Sequence, residues 1–133
     1  MFDKRAAPQK RIDCLIGAGT TVEGDVTFVG GLRIDGTVRG HVASVGDQSA
    51  TLVISEHAII EGEVRVSHVV INGTVKGPVG ASDYLELQAK ARVNGDVTYR
   101  TLEMHVGAIV QGKLMHAEHE SAAVVELKRG AVG

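Results

Sequence analysis

One five-residue pattern recurs along this chain: an aliphatic, a polar residue, glycine, a second polar residue, an aliphatic. It reads Val22-Glu-Gly-Asp-Val26, Ile34-Asp-Gly-Thr-Val38, Ile60-Glu-Gly-Glu-Val64, Ile71-Asn-Gly-Thr-Val75, Val93-Asn-Gly-Asp-Val97 and Val110-Gln-Gly-Lys-Leu114. Six copies within 133 residues make a repeat architecture the first organisation to consider, because such a unit buries its apolar side only against its neighbours. Four copies follow a six-residue lead opening on Ile16, Ile54, Leu87 or Met104. Two run on into a second glycine, as Val38-Arg-Gly-His-Val42 and Val75-Lys-Gly-Pro-Val79. A coil of about 17 to 19 residues accounts for these spacings.

Residue chemistry narrows the geometry of the coil. Glu23 and Asp25 flank Gly24, and Glu61 and Glu63 flank Gly62, so these stretches face water. Strand residues alternate between faces, which points Val26 and Phe28 the same way. The polar-Gly-polar triplet then reads as a corner, centred on Gly24, Gly36, Gly62, Gly73, Gly95 and Gly112, where glycine takes a positive φ without strain. Three strand-corner units make a coil, and stacked coils make an all-β, single-domain β-helix with about six windings over residues 12–116. Composition agrees. The chain has 17 glycines, 2 tyrosines, 2 phenylalanines and no tryptophan, as suits a narrow bore filled by valine and isoleucine. Residues 43–51 and 80–83 read as loops bulging from one edge.

Other classes are excluded by the same composition. A hydrophobic content of 44% with net charge −2 is wrong for a disordered chain, and valine and glycine are poor helix formers. The lone Cys14 forms no disulfide within the chain and fits a reducing cytosol. No run approaches the ~20 apolar residues of a membrane span, and residues 1–10 lack the apolar stretch of a signal peptide. Residues 1–11 carry Lys4, Arg5, Lys10 and Arg11 against Asp3, whereas the remainder is acidic. An acidic body with few aromatics repels phosphates and offers no stacking platform, so no nucleic-acid partner is expected.

A coil stack has two open ends, which a monomer must cover with a helix, charge or proline. The polar N-terminal tail, 1–11, makes no lid. The C-terminal segment, 117–133, reads either as a tail or as a short cap, with Ser121 as N-cap of a helix over 122–129, or Val124-Val125 as one more strand. End-to-end stacking follows from such a rod without any nucleotide. Leu15 and Ile16 at one end, and Ile109, Val110, Leu114 and Met115 at the other, are the candidate joint residues.

The run Leu32-Arg-Ile-Asp-Gly-Thr-Val-Arg-Gly-His-Val42, echoed over 70–79, resembles the signature of the bactofilins, bacterial polymer-forming cytoskeletal proteins. The resemblance implies a right-handed triangular β-helix with flexible termini and non-polar, nucleotide-independent filaments. It also implies a place at the inner face of the cytoplasmic membrane, as a scaffold for cell-wall (peptidoglycan) enzymes. Many family members begin with a membrane-targeting segment, and here Met1, Phe2, Lys4, Arg5, Lys10 and Arg11 match it. Phe2 would enter the lipid interface while the cations meet anionic headgroups, each contributing ~1 kcal/mol. One departure is plain: several bactofilins place a phenylalanine in the last coil, and none follows Phe28 here.

No catalytic, cofactor or metal constellation emerges. His116 and His119 are the only close histidine pair and have no cysteine partner, where zinc needs three or four ligands. The spacing in sixes also resembles hexapeptide-repeat acyltransferases and related carbonic anhydrases, which are trimeric β-helix enzymes. His57 or His68 would be the base in that alternative. Gly30-Gly31 is not followed by the lysine of a phosphate-binding loop.

Overall fold

The structure, a computed structural model, describes residues 12–46 and 49–117, and all of its regular elements are strands. Fifteen strands, numbered in chain order, wind into six coils with three faces. The first face holds β1 (Cys14–Ile16), β4 (Gly31–Ile34), β7 (Thr51–Ile54) and the C-terminal halves of β9 (Val64–Ile71), β11 (Val79–Leu87) and β13 (Val97–Met104). The second is a six-stranded sheet of β2 (Thr21–Glu23), β5 (Thr37–Arg39), β8 (Ile59–Glu61), β10 (Thr74–Lys76), β12 (Arg92–Asn94) and β14 (Ile109–Gln111). The third takes β3 (Val26–Phe28), β6 (Val42–Ser44), the N-terminal halves of β9, β11 and β13, and β15 (Leu114–His116). Every pairing is parallel, each strand lying on its counterpart one coil earlier. At the usual strand spacing, six coils make a rod about 30 Å long.

The register fills the bore with stacked columns, most of them aliphatic, while one column of the third face carries Phe28 and Ser44 at one end and Tyr99 and His116 at the other. On the second face Val22, Val38, Ile60, Val75, Val93 and Val110 stack as direct partners. On the first face Ile16, Ile34, Ile54, Ile71, Leu87 and Met104 do the same. The inner rungs of these columns are 0–2% exposed, and no polar or charged residue among those described is buried. Apolar burial, worth about 25 cal/mol per Å², is therefore the main cohesive term, with the interstrand ladders satisfying the backbone groups that it encloses.

The coils are less uniform than the spacing predicts. Thr37 pairs with Ile59, 22 residues on, while Ile59 pairs with Thr74, only 15 on. Corner chemistry explains part of the variation. Between the first and second faces some coils turn through four residues, closed by Ala58 N–H to Ser55 carbonyl or Ala91 N–H to Gln88 carbonyl bonds. Others turn on Asp35-Gly36 or Asn72-Gly73 alone. The expected loops also need correction. Ala43 and Ser44 belong to β6, and residues 80–83 run inside β11. There Ser82 and Asp83 stand where β9 has Ser67 alone, an extra residue absorbed as a β-bulge between Ala81 and Tyr84.

The six predicted corner glycines fall in two columns. Gly24, Gly62, Gly95 and Gly112 share the corner after the second face with Gly40 and Gly77; Gly36 and Gly73 lie at the corner before it. Positive φ holds for Gly24, Gly62 and Gly95 but not for Gly36, Gly73 or Gly112, so that expectation is corrected for half of them. Their requirement is space. A Cβ on Gly112 would overlap the carbonyl of Gly95, and one on Gly36 that of Thr20. Backbone lies on backbone at these corners, and only glycine permits the approach.

Candidate polymer interface

Both ends of the described rod are open. β1, β2 and β3 each pair with a single strand, and so do β14, β15 and the C-terminal half of β13. Among the described residues, each end presents a strand edge without a further strand beside a slice of core. The inward column of the third face shows the contrast. Val42, Val64, Val79 and Val97 are 0–1% exposed, whereas Leu114 on the last coil is 44% exposed. Met104 ends its own column at 43%.

Three of the six predicted joint residues occupy these slices: Ile16 at one end, Val110 and Leu114 at the other. Leu15, Ile109 and Met115 do not. They project from the first, second and third faces, at 57%, 46% and 40% exposure, beside the open edges. Aligned coils carry the signal that single positions lack. Leu15 shares its register with Arg33, Val53, Val70, Glu86 and Glu103, Ile109 with Arg92, Thr74 and Ile59, and Met115 with Thr98, Gly80 and Arg65, columns of mixed chemistry on the outside of the rod. The slices also contain Val22, Val26 and Phe28 at the first end, and Leu102, Met104 and Ala108 at the last, none of which the sequence assigns to the joint. Met1, Phe2, Lys4, Arg5, Lys10, Arg11, His119 and the cap at Ser121 lie outside the described residues.

The rims differ in charge. The first coil carries Asp13, Glu23 and Asp25, and no lysine or arginine occurs between residues 12 and 32. Each acid reaches toward the second coil. Asp13 Oδ2 accepts the Gly31 N–H at 3.2 Å, Asp25 Oδ1 accepts the His41 N–H at 2.9 Å, and Glu23 pairs with Arg39 at 3.1 Å. At the last coil Lys113 N–H donates to Asp96 Oδ1 at 3.0 Å. On the flank, Tyr84 Oη donates to Glu103 Oε1 at 2.6 Å, and that bond, with burial and the charge of Glu86, holds the phenol proton beyond its ordinary range.

His57 stands exposed in a corner turn. His68 Nδ1 lies 3.1 Å from Ser67 Oγ, a hydroxyl already donating to the Ala50 carbonyl at 2.8 Å. Among the described residues neither histidine belongs to a cluster of three or more histidine, cysteine or carboxylate side chains.

Among the described residues this is a β-solenoid with an aliphatic bore and two end coils that no strand covers, the open edges from which strand-to-strand association of structural proteins proceeds. The chain belongs to the bactofilin family, described as polymer-forming cytoskeletal, whose model matches residues 14–115. Among curated relatives, bactofilin BacO of Myxococcus xanthus (strain DK1622) is 28% identical over 100 residues, covering 75% of this chain and 76% of its own. Bactofilin BacP of the same organism is 27% identical over 112 residues, covering 81% of this chain and 46% of its own length. No solved structure matches the chain. The family is structural and non-enzymatic, which displaces the acyltransferase and carbonic-anhydrase alternative.

Proposed function

We propose that this bactofilin assembles end to end through its first and last coils into non-polar filaments, without nucleotide. The observation that carries the reading is the pair of uncovered core slices, with Leu114 and Met104 less than six-tenths buried where their inner counterparts are wholly enclosed. A second copy stacked head to head on either end covers the exposed core slice and closes the open edge, there with antiparallel pairing in place of the parallel pairing within the rod.

The filaments run along the inner face of the cytoplasmic membrane and carry cell-wall enzymes, whose spatial arrangement then shapes the cell. No helix among the described residues is long and apolar enough to cross a membrane. Attachment is assigned to the N-terminal tail, through Phe2 and the cations Lys4, Arg5, Lys10 and Arg11. One such tail binds weakly, but a filament presents many, and avidity raises binding by a factor of about 100 or more.

Negative-stain microscopy of the purified, nucleotide-free protein tests the polymer. Filaments are expected, and discrete particles at every concentration and salt would sink it. Flotation with anionic liposomes tests the tail. Deleting residues 2–8 should leave polymers formed but unbound, and equal flotation of both versions would remove the tail from the account.

A further inference from the structure

The register that builds the bore also stacks side chains on the outside of the first face. Glu86 of β11 and Glu103 of β13 are direct partners in adjacent strands. Glu86 points outward between Leu85 and Leu87, both 0% exposed. Like charges directly opposite one another destabilise a sheet. His105 follows β13, and its N–H donates to the Leu87 carbonyl at 2.9 Å, which swings the ring over both acids. Its Nε2 lies 3.1 Å from Glu86 Oε2 and 3.2 Å from Glu103 Oε2.

The opposite oxygens are held from the other side. Tyr84 Oη donates to Glu103 Oε1 at 2.6 Å and stands 3.4 Å from Glu86 Oε1. Glu103 is thus anchored through one oxygen with the other turned toward His105, while Glu86 Oε2, which faces the same point, also accepts from Gln88 Nε2 at 3.1 Å; ligand atoms of all three groups lie within 4.8 Å of one another. A single imidazole nitrogen carries at most one proton and serves two carboxylates poorly. A cation at the centre serves all three. Tetrahedral zinc, with ligands at about 2.0–2.2 Å, sets its donor atoms roughly 3.3 Å apart, close to the two histidine-carboxylate separations here.

We propose that Glu86, Glu103 and His105 form a divalent transition-metal site of the zinc class, with Tyr84 as the positioning residue for Glu103. The mixed imidazole and carboxylate set selects zinc and its neighbours over magnesium and calcium, which take oxygen ligands. The fourth position is left to water. Glu86 belongs to the fifth coil and Glu103 with His105 to the sixth, so the metal ties the terminal coil to the one beneath it. The site is independent of the filament reading.

Isothermal titration of chelator-treated, untagged full-length protein with zinc chloride tests the site, with magnesium chloride as the control. One saturable zinc site per chain is expected, with a rise in melting temperature on loading and no magnesium response. His105→Ala abolishes the binding, Glu86→Gln and Glu103→Gln weaken it at least ~10-fold, and Tyr84→Phe weakens it about 10-fold while preserving stoichiometry. His57→Ala, far along the rod, leaves it unchanged, and circular dichroism confirms that each variant is folded. Absence of saturable binding in the unmodified protein overturns the proposal and leaves His105 a plain ion-pair partner. Undiminished binding by folded His105→Ala overturns it equally.

Discussion

Leu114→Arg tests the end-coil joint at its most exposed core rung. Leu114 pairs with Val97 below it, and no strand among the described residues lies above it. Burying a leucine completely is worth ~1.5–3 kcal/mol, so covering its remaining 44% adds about 1 kcal/mol to each C-terminal joint. An arginine there either enters the joint without a partner, costing several kcal/mol, or holds the two ends apart. A combined loss of about 3 kcal/mol or more lowers the joint's association constant by a factor of ~100 or more. In a non-polar filament this perturbation strikes every second joint and spares those between N-terminal coils. The expected product is therefore a dimer, read by size-exclusion chromatography with light scattering and by negative stain. A head-to-tail filament would fall to monomers instead, which would refute the non-polar arrangement. Because Leu114 is half exposed already, the β-sheet circular dichroism should survive. A folded variant with filaments of unchanged length would refute the C-terminal coil as the joint.

Three further outcomes concern the rod itself. Gly95→Ala puts a methyl group 2.5 Å from the Gly77 carbonyl oxygen at φ +156°, and should cost ~2–4 kcal/mol in a thermal or urea melt. Gly80→Ala, whose Cβ meets only the Val64 carbonyl at 3.9 Å, should stay within ~0.5 kcal/mol; equal losses would refute the stacking account of the corners. Ile60→Ala, at a position 0% exposed in the middle of the bore, should cost ~2–5 kcal/mol by the same measurement. For Tyr84, Glu103→Gln removes the carboxylate that holds the phenol proton, so the pH of ionisation should fall back toward the ordinary 10.0. Tyrosinate absorbance in a Tyr99→Phe background isolates that one titration, and an unmoved curve would show that the bond to Glu103 does not matter.

Particular residues show what a linear reading captures. The polar-Gly-polar triplets carried the repeat, because charged residues at corners and aliphatics one strand apart are chemistry written locally. Ile16, Val110 and Leu114 were legible as end-slice residues because they open or close the aliphatic columns. Leu15, Ile109 and Met115 fall outside the end slices because parity decides the side on which a residue lies, and parity emerges only when coils are aligned. The division of the glycines into two corner columns was hidden for a similar reason. Gly36 and Gly62 sit in the same five-residue pattern, yet one adopts positive φ and the other does not.

By itself, then, the amino-acid sequence determined that the chain is a repeat of short strands with a narrow aliphatic bore. Valine, isoleucine and glycine at that period leave no other way to bury the apolar side. Only the tertiary structure decided which residues share a level. Coils of 15 to 22 residues do not align by counting, and a bulge in β11 shifts everything after it. Glu86, Glu103 and His105 meet for that reason alone. Glu86 lies 17 residues before Glu103 and becomes the neighbour of Glu103 and His105 because parallel pairing sets one coil directly upon the next.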